Sequence, residues 1–301
     1  MILYHYPMSP YSHKIRALYG FAAIDWDSLE VPSYPPRPIV ETLTGGYGRI
    51  PVTQIGADIF CDSKIIMEEI VTQSGKESLN IENASEEDKA LAIRAESEVF
   101  FAVIPSSSMP KLMMRMALSI GPKQTLNFIK DRIGMMKNSN VKPTSKDRSK
   151  KILAEFLGML EARLDKKSFL NGDKASAIDF ICYHPLWMLS NGVISQPPKN
   201  HKNVMLWMKQ MDNFSKEPNQ TISDKDAILR AKNSTPRPLP ASNNSSYIGK
   251  TCEIAPTDYR VDFVKGELVA ETSDRWIIKR QDDQVGDVHV HFPKQGYQIR
   301  N

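Results

Sequence analysis

Ser9-Pro10-Tyr11-Ser12, within YPMSPYSHKIR (residues 6–16), stands between a short apolar run and a basic amphipathic stretch, the slot where a redox protein would carry Cys-Pro-x-Cys. A strand that stops at Pro7 and a helix that opens near Tyr11 leave Ser9 at a helix N-terminus. Unpaired backbone N–H groups and the helix dipole favour negative charge there. A thiolate at that point is stabilised whether it belongs to the protein or to a small thiol bound beside it. With serine in place, the chain supplies a hydrogen-bond donor and the sulfur must come from a ligand. A hydroxyl that donates to a bound thiolate lowers the thiol's pKa and enlarges the reactive fraction near neutrality.

Two further stretches fit the same pocket. In Arg49-Ile50-Pro51-Val52 a proline precedes a strand-like run, a position where proline is tolerated only at an edge or first residue. A cis Ile50–Pro51 bond would turn the Ile50 N–H and C=O outward to pair with an extended peptide. Asp62-Ser63 opens a helix whose first N–H groups and Ser63 hydroxyl can hold a carboxylate, while Asp62 can answer an amino group. A ligand with a thiol, a peptide unit and an α-amino/α-carboxyl end is described by these residues, and glutathione fits that description.

With these residues in view, the chain resembles the cytosolic glutathione transferases of the serine-type classes. The matching pieces are Ser9-Pro10-Tyr11 followed by Lys14-x-Arg16, the segment Arg49-Ile50-Pro51-Val52, Asp62-Ser63 where the family more often has Glu-Ser, and FLNGDKASAIDF (169–180). The resemblance covers residues 1 to about 230. It implies a thioredoxin-like N-terminal domain, an all-helical C-terminal domain, a homodimer, and detoxifying conjugation of glutathione, as co-substrate, to small hydrophobic electrophiles. Carried over by residue, it assigns Ser9 to thiolate activation and Arg49 to the glycyl carboxylate. The Ile50 backbone takes the central peptide, Pro51 shapes the turn, Asp62 and Ser63 take the γ-glutamyl end, and Asp179 serves the fold. Tyr11, Phe100 and Met109 are candidate walls for the electrophile. Asp62 is one methylene shorter than Glu, so its reach to the amino group differs from the family's.

Other readings of the same residues remain open. Ser9 is also a preferred helix cap. Tyr4 and Tyr6 compete for the activating role, since other classes of the family use a tyrosine at the end of this strand. Ser12 takes the place of a resolving cysteine, its hydroxyl suited to cap a backbone group. Cys61, beside Asp62, is either a partner for a mixed disulfide or a buried strand-end thiol. His289 and His291 share a strand face, yet a third metal ligand at recognisable spacing is missing. The methionines of PKLMMRMAL (110–118) are either core filler or an adaptable apolar wall. The second functional class is a non-catalytic module that keeps the fold and uses an added domain or a basic run to hold a partner.

The elements that must position these residues follow from the patterning. Residues 1–75 alternate short β-like runs (ILYHY, WDSLEV, IPVTQIG, DIFC) with helices at 11–21 and 62–73, and a Pro-rich loop at 32–38, an α/β unit. Residues 84–233 are helical throughout, with helices expected from Ser85 and over 124–136, 146–164, 176–189, 203–214 and 224–231, so the second unit is all-α. STPRPLPASNNSS (234–246) reads as a linker. Residues 247–301 alternate in twos (GELVAET, RWIIKRQ, GDVHVHF) between turn signals, a small antiparallel sheet or barrel of unknown role. At that size it is expected to lean on the helical domain.

The net charge is +4 over 301 residues. Nine basic residues between Gly121 and Lys151 (Lys123, Lys130, Arg132, Lys137, Lys142, Lys146, Arg148, Lys150, Lys151) face only Asp131 and Asp147. Without aromatic interleaving or a reader motif, the run reads as a solvated face rather than a nucleic-acid site. Cys61, Cys182 and Cys252 lie far apart, as expected for reduced thiols in cytoplasm. No leader-like stretch and no run of about 18 apolar residues marks a membrane partner.

Overall fold

β1 (Ile2–His5) is buried along its whole length and organises the N-terminal sheet. It pairs in parallel with β2 (Asp27–Glu30) and antiparallel with β3 (Val52–Ile55), which pairs antiparallel with β4 (Asp58–Cys61). The structure, a computed structural model, describes residues 1–137, 139–141, 144–190, 197–242 and 245–301. Lys142 of the basic run and Asn243 and Asn244 of the linker lie outside the described residues.

Helix α1 (Pro10–Ala22) starts with proline, whose missing N–H would be unpaired in the first turn in any case. After the Pro-rich loop, α2 (Pro38–Thr44) opens in the same way and closes on Gly45 with φ 83°. α3 (Ser63–Ser74) follows β4 directly. The helical part comprises α4 (Glu86–Arg94), a π turn (Ala95–Val99), α5 (Phe100–Ser106), α6 (Met109–Ile120), α7 (Pro122–Lys137), α8 (Lys146–Arg163), α9 (Ala177–Ser190), α10 (Lys202–Asp212) and α11 (Asp224–Lys232). No helix among the described residues is long and apolar enough to cross a membrane.

Two apolar clusters hold these layers together. Ile15 and Leu18 of α1 and Ile66 and Ile70 of α3 pack with Phe156, Leu160, Phe180, Leu186 and Trp207 of the helical part. α1 approaches the end of α10 so closely that a Cβ on Gly20 would sit 1.7 Å from the Phe214 carbonyl oxygen, so only glycine fits there. The start of α9 is fixed by Asp179, fully buried, which accepts from the backbone N–H groups of Leu170 (2.8 Å) and Ser176 (2.9 Å), the Ser176 hydroxyl (3.1 Å) and the Trp207 indole (2.9 Å).

The C-terminal strands depart from expectation. β5 (Thr251–Pro256), β6 (Val264–Glu271), β7 (Arg275–Asp282), β8 (Gly286–Pro293) and β9 (Tyr297–Arg300) form the antiparallel order β8-β7-β6-β5-β9. They do not lean chiefly on the helical part: β8 pairs in parallel with β4, with Asp58 opposite His289, Ile59 opposite Val290 and Phe60 opposite His291. The described strands make one nine-stranded sheet, β2-β1-β3-β4-β8-β7-β6-β5-β9. The physical reason is the second cluster, where Tyr4, Leu43, Val52 and Ile59 meet Ala227 and Ala231 of α11 and Val288, Val290 and Phe292 of β8. A small sheet gains more by continuing an open edge, which supplies both backbone hydrogen bonds and apolar cover, than by resting on helices.

The linker is pinned at the same seam. The Arg237 N–H donates to Asp58 Oδ2 (2.9 Å) and its guanidinium holds Glu69 through two bonds (2.8 and 3.1 Å). The other Asp58 oxygen pairs with His291 Nε2 at 2.8 Å, and the His291 ring stacks on Phe60 with centroids 4.4 Å apart. His291 thus joins two units of the sheet; no group of three metal-ligating side chains occurs among the described residues.

Candidate functional site

Across the sheet, Tyr4 stands opposite Val52 and Val52 opposite Cys61. That register brings three segments to one end of the sheet: the turn after β1 that carries Ser9, the Arg49-Ile50-Pro51 approach to β3, and Asp62-Ser63 after β4.

Ser9 is the N-cap of α1, 2 % exposed, with extended backbone (φ −77°, ψ 119°). Its Oγ accepts the Ser12 N–H at 3.2 Å, which leaves the hydroxyl proton for another acceptor. The capping and the donating roles are therefore compatible. The Ser12 hydroxyl is buried with no partner among the described residues, so its expected capping role is corrected: Ser12 is capped through its N–H rather than capping. The competing tyrosines are engaged elsewhere. Tyr4 is fully buried and bonded to Gln54, while the Tyr6 hydroxyl meets Arg132 of α7 at 3.3 Å. His5 bonds Ser28 at 2.8 Å and Arg16 at 3.1 Å, and burial pushes its pKa down to about 3.

Asp62 caps α3 from a backbone that L-residues rarely adopt, φ 87° and ψ 140°. Conformations of this kind cost on the order of 1–3 kcal/mol and persist where the surroundings hold them in place. One carboxylate oxygen accepts the Lys64 N–H at 2.9 Å and the other accepts from the Tyr297 hydroxyl at 3.0 Å. The Tyr297 proton is spent on Asp62, so the Tyr47 hydroxyl donates to Tyr297 at 2.6 Å. Burial first, and then the Asp62 charge, push both phenols well up and keep them neutral donors. Ser63, buried, is the first residue of the helix.

Arg49 is nine-tenths buried and already held. Its Nη2 donates to the Asp258 carboxylate and to the Tyr259 carbonyl, and the Tyr259 ring stacks on the guanidinium 4.0 Å away. Burial opposes its charge, but Tyr259, Tyr297, Tyr47 and Asp258 outweigh that and raise its pKa. The Arg49 Nε is buried without a partner among the described residues. The Ile50–Pro51 bond is cis. Ile50 is half-buried, and its N–H and C=O enter no backbone hydrogen bond among the described residues.

Beside these lies an aromatic cluster. Tyr11 packs against Phe100 and His184, each with centroids 4.7 Å away, and Phe101 meets Tyr259 edge-on at 5.9 Å. Lys14, fully buried, sits 5.4 Å from the Tyr11 ring and bonds Glu96 of the π turn at 2.6 Å. Tyr11 has its pKa raised well above the ordinary value, by burial first and then by Tyr259, Glu96 and Asp62 against Arg49. Tyr11 and Phe100 are thus together, whereas Met109 opens α6 and is 46 % exposed. Cys61 is fully buried and burial pushes its thiol pKa well up, the condition of an inert thiol.

Sequence reasoning missed Tyr47, Asp258, Tyr259 and Tyr297. Tyr47 precedes the Arg49 motif closely enough to have been included. The other three carry no local signal, because only the β4–β8 pairing brings the last sixty residues to this end of the sheet.

Residues 3–78 match the family profile "Glutathione S-transferase, N-terminal domain" and residues 109–213 match "Glutathione S-transferase, C-terminal domain". No curated protein matches. Among solved structures, a GST-like protein from Pseudomonas syringae is 28 % identical with a TM-score of 0.80, over 100 % of this chain and 98 % of that one. Glutathione S-transferase III in apo form is 19 % identical (TM-score 0.48; 70 % and 90 % covered), and Gtt2 from Saccharomyces cerevisiae is 16 % identical (0.48; 70 % and 95 %). With a thioredoxin-like first unit followed by a helical one, and both family profiles matched in order, the chain belongs to the glutathione S-transferase family.

Proposed function

We propose that this protein is a glutathione transferase of the serine type, which binds glutathione at the end of the sheet and joins its sulfur to small hydrophobic electrophiles. The observation that carries this reading is the register Tyr4–Val52–Cys61, which gathers Ser9, Arg49-Ile50-Pro51 and Asp62-Ser63 at one place. Ser9 donates its free proton to the ligand sulfur and thereby favours the thiolate; the thiol's own proton leaves to solvent. The thiolate then forms the S–C bond as the leaving group departs with its electron pair, or adds across an activated double bond. The unpaired Ile50 N–H and C=O take the central peptide, and Asp62, aimed by Tyr297, takes the γ-glutamyl amine with Ser63 beside its carboxylate. The aromatic cluster of Tyr11 and Phe100 supports an apolar electrophile. Homodimeric assembly and a cytoplasmic location belong to the same reading.

Turnover of chlorodinitrobenzene with glutathione is the direct test. Ser9→Ala is expected to lower kcat at least about tenfold, the effect of losing a hydrogen bond to a charged group, with glutathione affinity within a factor of about two. Unchanged turnover in that variant refutes the role of Ser9. A second reading, a module that keeps the fold and holds a partner without turnover, is favoured by one observation: Arg49, the expected anchor of the glycyl carboxylate, is already bonded to Asp258 and Tyr259, which weakens the case for glutathione as a co-substrate. Absence of conjugate with every electrophile tried, at glutathione concentrations where titration shows the site filled, selects it.

A further inference from the structure

The appended strands reach into the site by a loop between β5 and β6, residues 257–263, and that loop is held from several sides. Asn140 donates to the Asp258 carbonyl (2.7 Å) and, through its side chain, to the Thr257 carbonyl (2.6 Å). Thr257 N–H bonds the Gly296 carbonyl at 2.9 Å, and Arg260 pairs with Asp131 of α7. The Asp262 carboxylate lies against Gly48, where a Cβ would come within 2.2 Å of it. With Phe101 against Tyr259, the loop is braced by α5, α7, the segment before β3 and its own sheet. Its Asp258 carboxylate therefore meets Arg49 as a built contact.

This inference rests on the glutathione-site reading, in which Arg49 anchors the ligand's glycyl carboxylate. In this protein a carboxylate of its own chain already sits there. A free glycyl carboxylate arriving at Arg49 would face Asp258 across the same guanidinium, and like charges at that separation repel strongly in a part-buried site. Asp258 is 44 % exposed on its side chain, so it can accept an N–H from a ligand's C-terminal amide or meet an amine. The γ-glutamyl end of the cleft is unaffected, since Asp62 is held as an acceptor by Tyr297 and Lys64. We propose that Asp258 is a resident occupant of the carboxylate anchor, so that the cleft selects γ-glutamylcysteinyl thiols whose C-terminal end is an amide, neutral or amine-bearing, over glutathione itself.

Isothermal titration of the full chain at pH 7 with glutathione and with its C-terminal glycinamide analogue tests this. The wild type is expected to bind the amide at least about tenfold more tightly. Asp258→Asn, which keeps the shape and removes the charge, is expected to tighten glutathione at least about tenfold and so erase the preference; glutathione binding by that variant alone supports the same conclusion. A wild type that binds glutathione as tightly as the amide overturns the proposal without any variant. Weaker glutathione binding in a folded Asp258→Asn protein also overturns it, because Asp258 would then merely orient Arg49. Binding of neither thiol by either protein overturns the glutathione-site reading beneath it.

Discussion

Asp179→Ala tests how the helical part holds the sheet in position. The carboxylate accepts from four donors, of which the Leu170 N–H and the Trp207 indole N–H are in fully buried surroundings. Each buried donor left unpaired costs about 1–3 kcal/mol, while Ser176, half-buried, recovers part of its loss through water. Against this, burial raises the Asp179 pKa despite its four bonds, so removing the carboxyl returns part of a desolvation cost. The balance is a loss of about 3–4 kcal/mol. At about 2 °C per kcal/mol, appropriate to a chain at the large end of single-domain behaviour, the thermal midpoint falls about 6–8 °C. Differential scanning calorimetry of wild type, Asp179→Ala and Asp179→Asn reads it, with the asparagine variant intermediate because it retains one acceptor oxygen. A midpoint within about 2 °C of wild type for the alanine variant refutes the assignment of Asp179 as the organiser of this corner.

Two more perturbations probe the seam between the original sheet and its extension. Burial and the neighbouring Asp274, against Arg275 at 2.8 Å, push the Glu68 carboxyl up from 4.5 to about 7. A raised folded pKa stabilises where the group is protonated: the contribution is fully present below about 4.5 and is lost as pH rises through about 7, at most about 3 kcal/mol. Melting curves from pH 5 to pH 8 should therefore decline more steeply for wild type than for Glu68→Gln; parallel curves contradict the raised value. Truncation after Lys232 removes the partner of β4 and uncovers Ile59 and Val52, and is expected to give aggregated protein by size-exclusion chromatography. A soluble truncated chain with an unchanged midpoint would show that the extension is dispensable to the fold.

What was legible in the sequence was local. Ser9 as a helix cap, Asp62 at the start of α3 and the Ser85 cap follow from side chains that bond backbone groups two or three residues away, so adjacent residues carry the information. The helices at 146–163 and 202–212 agree with their apolar spacing to within two residues. β5 escaped because its alternation breaks at Ile254-Ala255-Pro256, and β9 because its four alternating residues are too short a run to stand out. The β4–β8 junction was illegible for a different reason. Parallel pairing leaves no turn signature, and the two strands are separated by the whole helical part. Everything the extension brings to the site, Asp258, Tyr259 and Tyr297 included, was hidden with it.

That junction also bears on synthesis. β4 leaves the ribosome well before the strand that covers its outer edge, because β8 follows it by over 200 residues. At about 5–20 residues per second the nascent chain carries an unpaired, largely apolar strand edge for on the order of 10 to 50 s. During that interval any other extended polypeptide can bind where β8 belongs. Slowing elongation between Asp58 and Pro293 is therefore expected to lengthen that exposure and lower the soluble yield.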